Sequence, residues 1–476
     1  MAFSRVAGIL LHPTSLPGPG GIGTLGEHAR RFVDTLERSG IGLWQVLPLG
    51  PTGYGDSPYS ALSAFAGNPF LIALEPLGER GWLQATDFAR LPQSPSEAVD
   101  FGELVPAKMA VLRLAFDRFD VHQEAGYHHF LQENAGWLDD FCLYMAIKDA
   151  HGGEPWTQWP ADLRSRDAGA LSAQRHDLAA EIDFHRFVQF IFFDQWSALK
   201  QYANQRNVEI VGDIPIFVAH DSADVWANQA LFQLDERGLP IVVAGVPPDY
   251  FSPTGQLWGN PHYRWDVMAA DGYQWWIDRF RMCLRLVDMV RLDHFRGFAA
   301  AWAVPYGNPT AELGQWMPSP GHELFSALES ALQSPAIIAE DLGVITPDVE
   351  QLRATFGFPG MKILQFAFGA GPSGASVKLA RQTPSTAAFG NPLASSNRAS
   401  TRPRNHVAPC SDRRTYGSVT GQAATASLTP APSSPAYRSS PRAPPAPAPR
   451  PATPPAAPSA SPSTATPPRT PPSPAP

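Results

Sequence analysis

The sequence is poor in cysteine, has no long apolar run, and almost stops using acidic residues after Pro372. Its three cysteines, Cys142, Cys283 and Cys410, lie far apart and share no metal-ligand spacing. That argues against a disulfide framework and a metal site, and for a reducing, cytoplasmic compartment. No stretch of roughly 18 apolar residues occurs, so no membrane span is expected. The start, MAFSRVAGILLHPTS, has only a short apolar stretch broken by His12 and Pro13, and reads as a buried strand rather than a secretion signal. No GxGxxG or P-loop follows any apolar run, which weakens a nucleotide-binding reading.

Charge is unevenly spread. Of 36 basic and 44 acidic residues, eleven basic ones and a single acid, Asp412, fall in 373–476, leaving 25 against 43 and a net charge of −18 before it. An acidic body repels polyanions, so nucleic acid is not an expected partner. All 13 Trp precede residue 373. The segment 373–476 is rich in Pro, Ala, Ser, Thr and Arg. It has too few large apolar side chains to offset the entropy of ordering, and disorder is expected there. The expected division is therefore a globular part, 1–372, and a low-complexity tail, 373–476.

Six short apolar runs end in polar or glycine-containing loops: Gly8–His12, Leu43–Leu49, Val208–Ile216, Met289–His294, Ala336–Gly343 and Met361–Phe368. Near-continuous apolar runs fit strands buried on both faces. Helical patterns separate them, as over Glu27–Ser39 and Tyr273–Val287. This alternation means α/β, either a (β/α)8 barrel or a doubly wound sheet. Residues 82–195 read as helices inserted between the second and third strands. They are either a lid over a groove or extra packing.

Two carboxylates end successive apolar runs. In Val290-Arg291-Leu292-Asp293-His294, alternation puts Arg291 and Asp293 on one face. Inward-facing residues at a barrel strand's C-terminal end open onto the active site. An ionised carboxylate there can attack an anomeric carbon. Taken alone, the pair reads more readily as a buried structural ion pair. In Ile337-Ile338-Ala339-Glu340, the run delivers a carboxylate whose partial burial suits a general acid. Alone, Glu340 could equally cap a helix or pair with a base. Together Asp293 and Glu340 match the two carboxyls, about 5–5.5 Å apart, of a retaining glycosidase. Asp213, read as the end of the third strand, is a support for Arg291.

Aromatic residues lie in Gly/Pro-rich stretches. Tyr54 and Tyr59 fall in Gly50–Tyr59, with Ser57 between them. Tyr250, Phe251 and Trp258 fall in Val246–Pro261, after Asp249. Loops run over the surface, so these rings fit sugar stacking better than core packing.

These stretches together resemble the 4-α-glucanotransferases of the amylomaltase, or disproportionating-enzyme, family, related to α-amylases. The match runs through Gly8–Gly26, Trp44–Pro69, Trp137–Trp159, Asp213–Trp226, Val243–Pro261, Val290–Phe298 and Ile337–Gly343. The resemblance implies a (β/α)8 TIM-type barrel with inserted helical subdomains, acting on α-1,4-glucans such as maltodextrin, starch or glycogen fragments, without cofactor or metal. It implies Asp293 as nucleophile and Glu340 as acid/base, with Arg291 and Asp213 in support. Tyr59, Ser57, Asp249, Phe251, Trp258 and Phe366 would line donor and acceptor subsites, and Tyr54 a secondary glucan contact.

The family also carries a His-Asp pair on its seventh barrel strand. After Glu350 the only acid is Asp412 and the only histidine His406, not adjacent to it. Strands 7 and 8 are therefore expected to be missing, and this chain to fold poorly and have little activity. A hydrolase on the same scaffold and a non-catalytic glucan-binding remnant are the alternatives.

Overall fold

The computed structural model describes residues 5–92, 98–249, 252–363 and 386–389, with Tyr54, Ala125 and the last four by backbone alone. Eleven strands lie among them. They are β1 (Gly8–Leu10), β2 (Leu43–Gln45), β3 (Glu209–Pro215), β4 (Val242–Val246), β5 (Gln256–Pro261) and β6 (Met289–Asp293). They continue with β7 (Ala300–Pro305), β8 (Gln315–Pro318), β9 (Ile337–Ala339), β10 (Gly360–Ile363) and β11 (Thr386–Phe389).

Five strands form one parallel sheet in the order β1-β2-β3-β6-β9. Helices alternate with these strands, as the alternation of patterns predicts, and Ala179–Asn204 packs on β3 while Gln274–Leu286 packs on β3 and β6. The first connection explains itself locally. Helix Glu27–Arg38 buries Ala29, Val33 and Leu36 against the sheet. It ends where Gly40 takes φ +66°, and there the Ile41 and Gly40 amides bond the Leu36 and Glu37 carbonyls. That paired closure needs a left-handed residue, which glycine adopts without strain. The chain then enters β2, where buried Trp44 donates its indole N–H to the Leu11 carbonyl at 2.8 Å.

The sheet continues toward β10, since the Ala339 amide bonds the Pro359 carbonyl at 2.9 Å. Asp341 fixes β10 there, accepting from the Met361 amide at 2.7 Å and pairing with Arg353 at 3.2 Å. β10 in turn pairs with β11 in parallel. No strand was expected beyond Pro372, and β11 corrects that expectation. Four residues, Thr-Ala-Ala-Phe, are too short and too small to register as an apolar run. The remainder of the expected tail, 373–476, lies outside the described residues.

Two additions sit on this frame. Between β2 and β3 come helices Phe101–Asp117, Ala125–Ala150, Ala168–Asp177 and Ala179–Asn204. The last buries residues on nearly every side, from Ile182 to Ala203, and leads straight into β3. Gln189 and Gln195 on it are buried amides that bond the backbone N–H and C=O of Gly67 and of Ala73, at 2.7–2.9 Å. Lys108 adds bonds to the Phe70 and Ile72 carbonyls at 3.0 and 2.6 Å. The stretch after β2 is thereby fixed by side chains where no strand partners it, which satisfies its buried polar groups. The second addition is an antiparallel sheet, β5-β4-β7-β8, with strands drawn from both sides of β6.

Candidate active site

β6 reads Met-Val-Arg-Leu-Asp, and its pleat divides the residues. Val290 and Leu292 are buried on one face, while Arg291 and Asp293 are partly open on the other. The register places Asp213 beside Arg291 and Pro215 beside Asp293. On the other flank Arg291 pairs with Ile338 and Leu292 with Ala339. One further step puts Asp293 alongside Glu340, at the C-terminal ends of neighbouring strands about 4.8 Å apart.

A chain of charged contacts runs across these ends. Arg291 Nη1 meets Asp213 Oδ1 at 2.7 Å, and Nη2 meets Asp293 Oδ1 at 2.6 Å. The other Asp213 oxygen accepts the Tyr59 hydroxyl at 2.8 Å. Burial pushes the Asp213 carboxyl up to about 6, against the pull of Arg291. Burial also opposes the Arg291 charge, but Asp213 and Asp293 outweigh it and raise that pKa further. The Tyr59 phenol is raised too, by burial first and then by Asp213.

Glu340 is held differently. Its Oε2 accepts the His294 amide at 2.8 Å and its Oε1 the Leu342 amide at 3.0 Å. The backbone ties the two strand ends as well, from the Glu340 amide to Leu292 O at 3.0 Å and from the Phe295 amide to Glu340 O at 3.1 Å. Burial, then the charge of Asp293, raises the Glu340 pKa to about 7. A carboxyl at that value carries a proton part of the time near neutrality, as a general acid requires.

Two segments reach the carboxylate cluster, through Tyr59 and through Trp258. The loop after β2 folds back on itself, with Gly53 bonded to Ser60 and Leu62 to Pro51, and presents Tyr59 at its tip. Ser57 shapes that tip, its Oγ accepting the Tyr59 amide at 3.3 Å. The antiparallel sheet brings Trp258, which lies on β5 and not on the loop expected from its Gly/Pro neighbours. Asn260 pins β5 to the Val218 carbonyl at 2.8 Å. Asp249 bonds Ser252 in the turn before β5, through its own amide and its Oδ1. Phe251, Phe366 and the Tyr54 side chain lie outside the described residues.

No role for His294 is legible in the sequence beyond its place in the motif. It takes φ +52° just after Asp293, a left-handed conformation that turns the chain at the strand end. Its ring meets Trp258 edge-on at 4.8 Å. Its Nε2 is buried without a partner among the described residues, and burial pushes the imidazole down to about 4. A neutral ring thus lies beside Asp293 and an exposed indole.

The family model described as 4-alpha-glucanotransferase matches residues 11–388. This chain belongs to the 4-α-glucanotransferase family. It is 52% identical over 375 residues to the 4-alpha-glucanotransferase of Thermus thermophilus, covering 78% of this chain and 74% of that protein. It is 51% identical over 374 residues to that of Synechocystis, covering 77% and 74%. The solved amylomaltase of Streptococcus agalactiae in complex with acarbose is similar at 40% identity and TM-score 0.78, over 81% of this chain and 78% of that one. Enzymatic transfer between α-glucans is the chemistry of this family, and the barrel-like parallel sheet is its scaffold. The family match reaches past residue 372, where the motif resemblance stops, and ends within β11 at residue 388. No helix among the described residues is long and apolar enough to cross a membrane.

Proposed function

We propose that this protein moves a segment of a 1,4-α-D-glucan to the 4-hydroxyl of an acceptor glucan or glucose, by two displacements with net retention. Asp293 attacks the anomeric carbon as the C1–O4 bond breaks, and Glu340 gives its proton to the leaving oxygen. A glucosyl ester of Asp293 results. Glu340, now a carboxylate, takes the proton from the acceptor hydroxyl as that oxygen displaces Asp293. Arg291 and Asp213 hold Asp293 in line. Tyr59, Ser57, Asp249, Phe251, Trp258 and Phe366 line the sugar path, and Tyr54 a secondary contact.

One observation carries this reading: two carboxylates at neighbouring strand ends sit in opposite environments, Asp293 on a guanidinium and Glu340 raised to about 7. Environments that separate two carboxyls assign the nucleophile and the acid. The substrates are maltodextrins or fragments of starch or glycogen, met in the cytoplasm. The net acidity of residues 1–372 supports neutral glucans over nucleic acid. Transfer prevails over hydrolysis where Tyr59 and Trp258 hold an acceptor in place of water.

The test is incubation with maltotriose. The expected products are glucose and longer maltodextrins. Release of reducing ends without chain lengthening assigns a hydrolase instead. The His-Asp pair missing after Glu350 favours a second reading, a glucan binder without turnover. Retained maltodextrin binding with no product would establish it.

A further inference from the structure

A groove of about 680 Å³ runs between the inserted helix Ala125–Ala150 and the sheet-flanking helix Gln274–Leu286. Its volume is within the range of small-molecule sites. Glu133, Gly136, Trp137 and Asp140 face it from the first helix, at spacings that share one helical face. Gln274, Asp278, Arg281 and Arg285 face it from the second. The floor is aromatic. Phe65 stacks on Trp137 with centroids 6.3 Å apart, and meets Trp275 edge-on at 6.0 Å. One end is closed where Arg285 reaches Asn134 at 3.2 Å and Glu133 at 3.4 Å.

We infer that this groove is a second saccharide site, binding a neutral α-glucan oligosaccharide outside the catalytic cleft. Two observations converge on that ligand. Aromatic faces take the C–H faces of sugar rings, and the carboxylates, guanidinia and amides of the walls take hydroxyls. Five carboxylates against two guanidinium groups line the groove, which disfavours phosphorylated or other anionic ligands.

Gly136 supports an open groove. It lies in mid-helix, where glycine is destabilising relative to alanine. A Cβ built on it meets nothing within 4 Å. The space above it is open on the side that lines the groove. Ser63 and Phe65, in the stretch that presents Tyr59 to Asp213, also line the groove. The site is therefore joined by one segment to the catalytic cleft.

The choice of ligand rests on the proposed function, so the test separates the two. Maltohexaose is titrated into the full chain carrying Asp293→Asn, which stops turnover, with calorimetry and tryptophan fluorescence as readouts. Beyond the Tyr54 contact, two classes of site are expected, one in the cleft and one in the groove. Gly136→Gln, whose Cβ meets nothing within 4 Å, puts a side chain over the groove, abolishes one class and leaves the other. Trp258→Ala weakens only the other. Trp137→Ala lowers affinity at the groove at least tenfold. If Gly136→Gln titrates with the parent's stoichiometry, the inference is overturned. A Gly136-sensitive site without a Trp258-sensitive one would uphold the groove and remove the support for the cleft. Binding at neither would overturn both.

Discussion

Arg291 and Asp293 share one face of a five-residue strand and meet at 2.6 Å. The same guanidinium holds Asp213 at 2.7 Å on the neighbouring strand. One cation therefore orders two acids, of which Asp213 has a side chain only 1% exposed.

Replacing that cation should be severe. Arg291→Met leaves Asp213 buried without its partner, and loss of one member of a buried pair is worth about 3–5 kcal/mol. Urea unfolding of the variant is expected to show a loss of that order. Asp213→Asn in the same chain should return part of it. Unchanged stability of the single variant would mean that the pair is solvated.

Activity should report the Glu340 proton. Its pKa of about 7 means that the acid form is present below that pH and is lost as pH rises through it. The transfer rate is expected to fall on an alkaline limb near pH 7. Glu340→Gln should lose nearly all turnover, and small leaving groups that need no proton should restore formation of the ester. A rate flat from pH 6 to 9 would assign the acid elsewhere.

Lys108 gives a stability signature. It is 1% exposed, and burial pushes its amine from 10.5 down to about 7. Between those values the unfolded chain holds a proton that the native one lacks, so stability rises with pH across that window. The slope is up to about 1.4 kcal/mol per pH unit. Urea midpoints at pH 7 and 9 should differ, and Lys108→Met should remove that part of the difference.

Gly67 is fixed by a close approach. A Cβ there would lie 1.9 Å from Phe192 Cδ1, between the two amide bonds from Gln189. Gly67→Ala is expected to cost about 1–3 kcal/mol in thermal or urea unfolding. It should also lower transfer activity, because the strained segment carries Tyr59.

Two strand-borne groups were legible because each ends an apolar run: Asp293 after Met289–Leu292 and Glu340 after Ile337–Ala339. Asp213 was expected at the end of its strand but lies inside β3, which continues through Ile214 and Pro215 because that apolar pair extends the pairing with β6. Period-two alternation alone puts Arg291 and Asp293 together. The antiparallel sheet was not legible. β4 and β7 pair across a long separation in the chain, and Gly255, Gly259 and Pro261 make β5 look like a loop. Gln189 and Gln195 vanish in a helix of apolar residues, since nothing local says that an amide there will bond Gly67 or Ala73. His294 turns left-handed without being glycine, a property of the folded chain and not of its pattern. The groove lined by Gly136 needs two helices more than a hundred residues apart, so periodicity marks each face but not their meeting.

Transfer by two displacements requires a covalent bond to Asp293. Glu340→Gln protein treated with a 5-fluoro-α-glucosyl fluoride should accumulate a glucosyl ester, and mass spectrometry of its peptides should locate the sugar on Asp293. An unmodified Asp293, with the sugar on another residue or on none, would contradict the account.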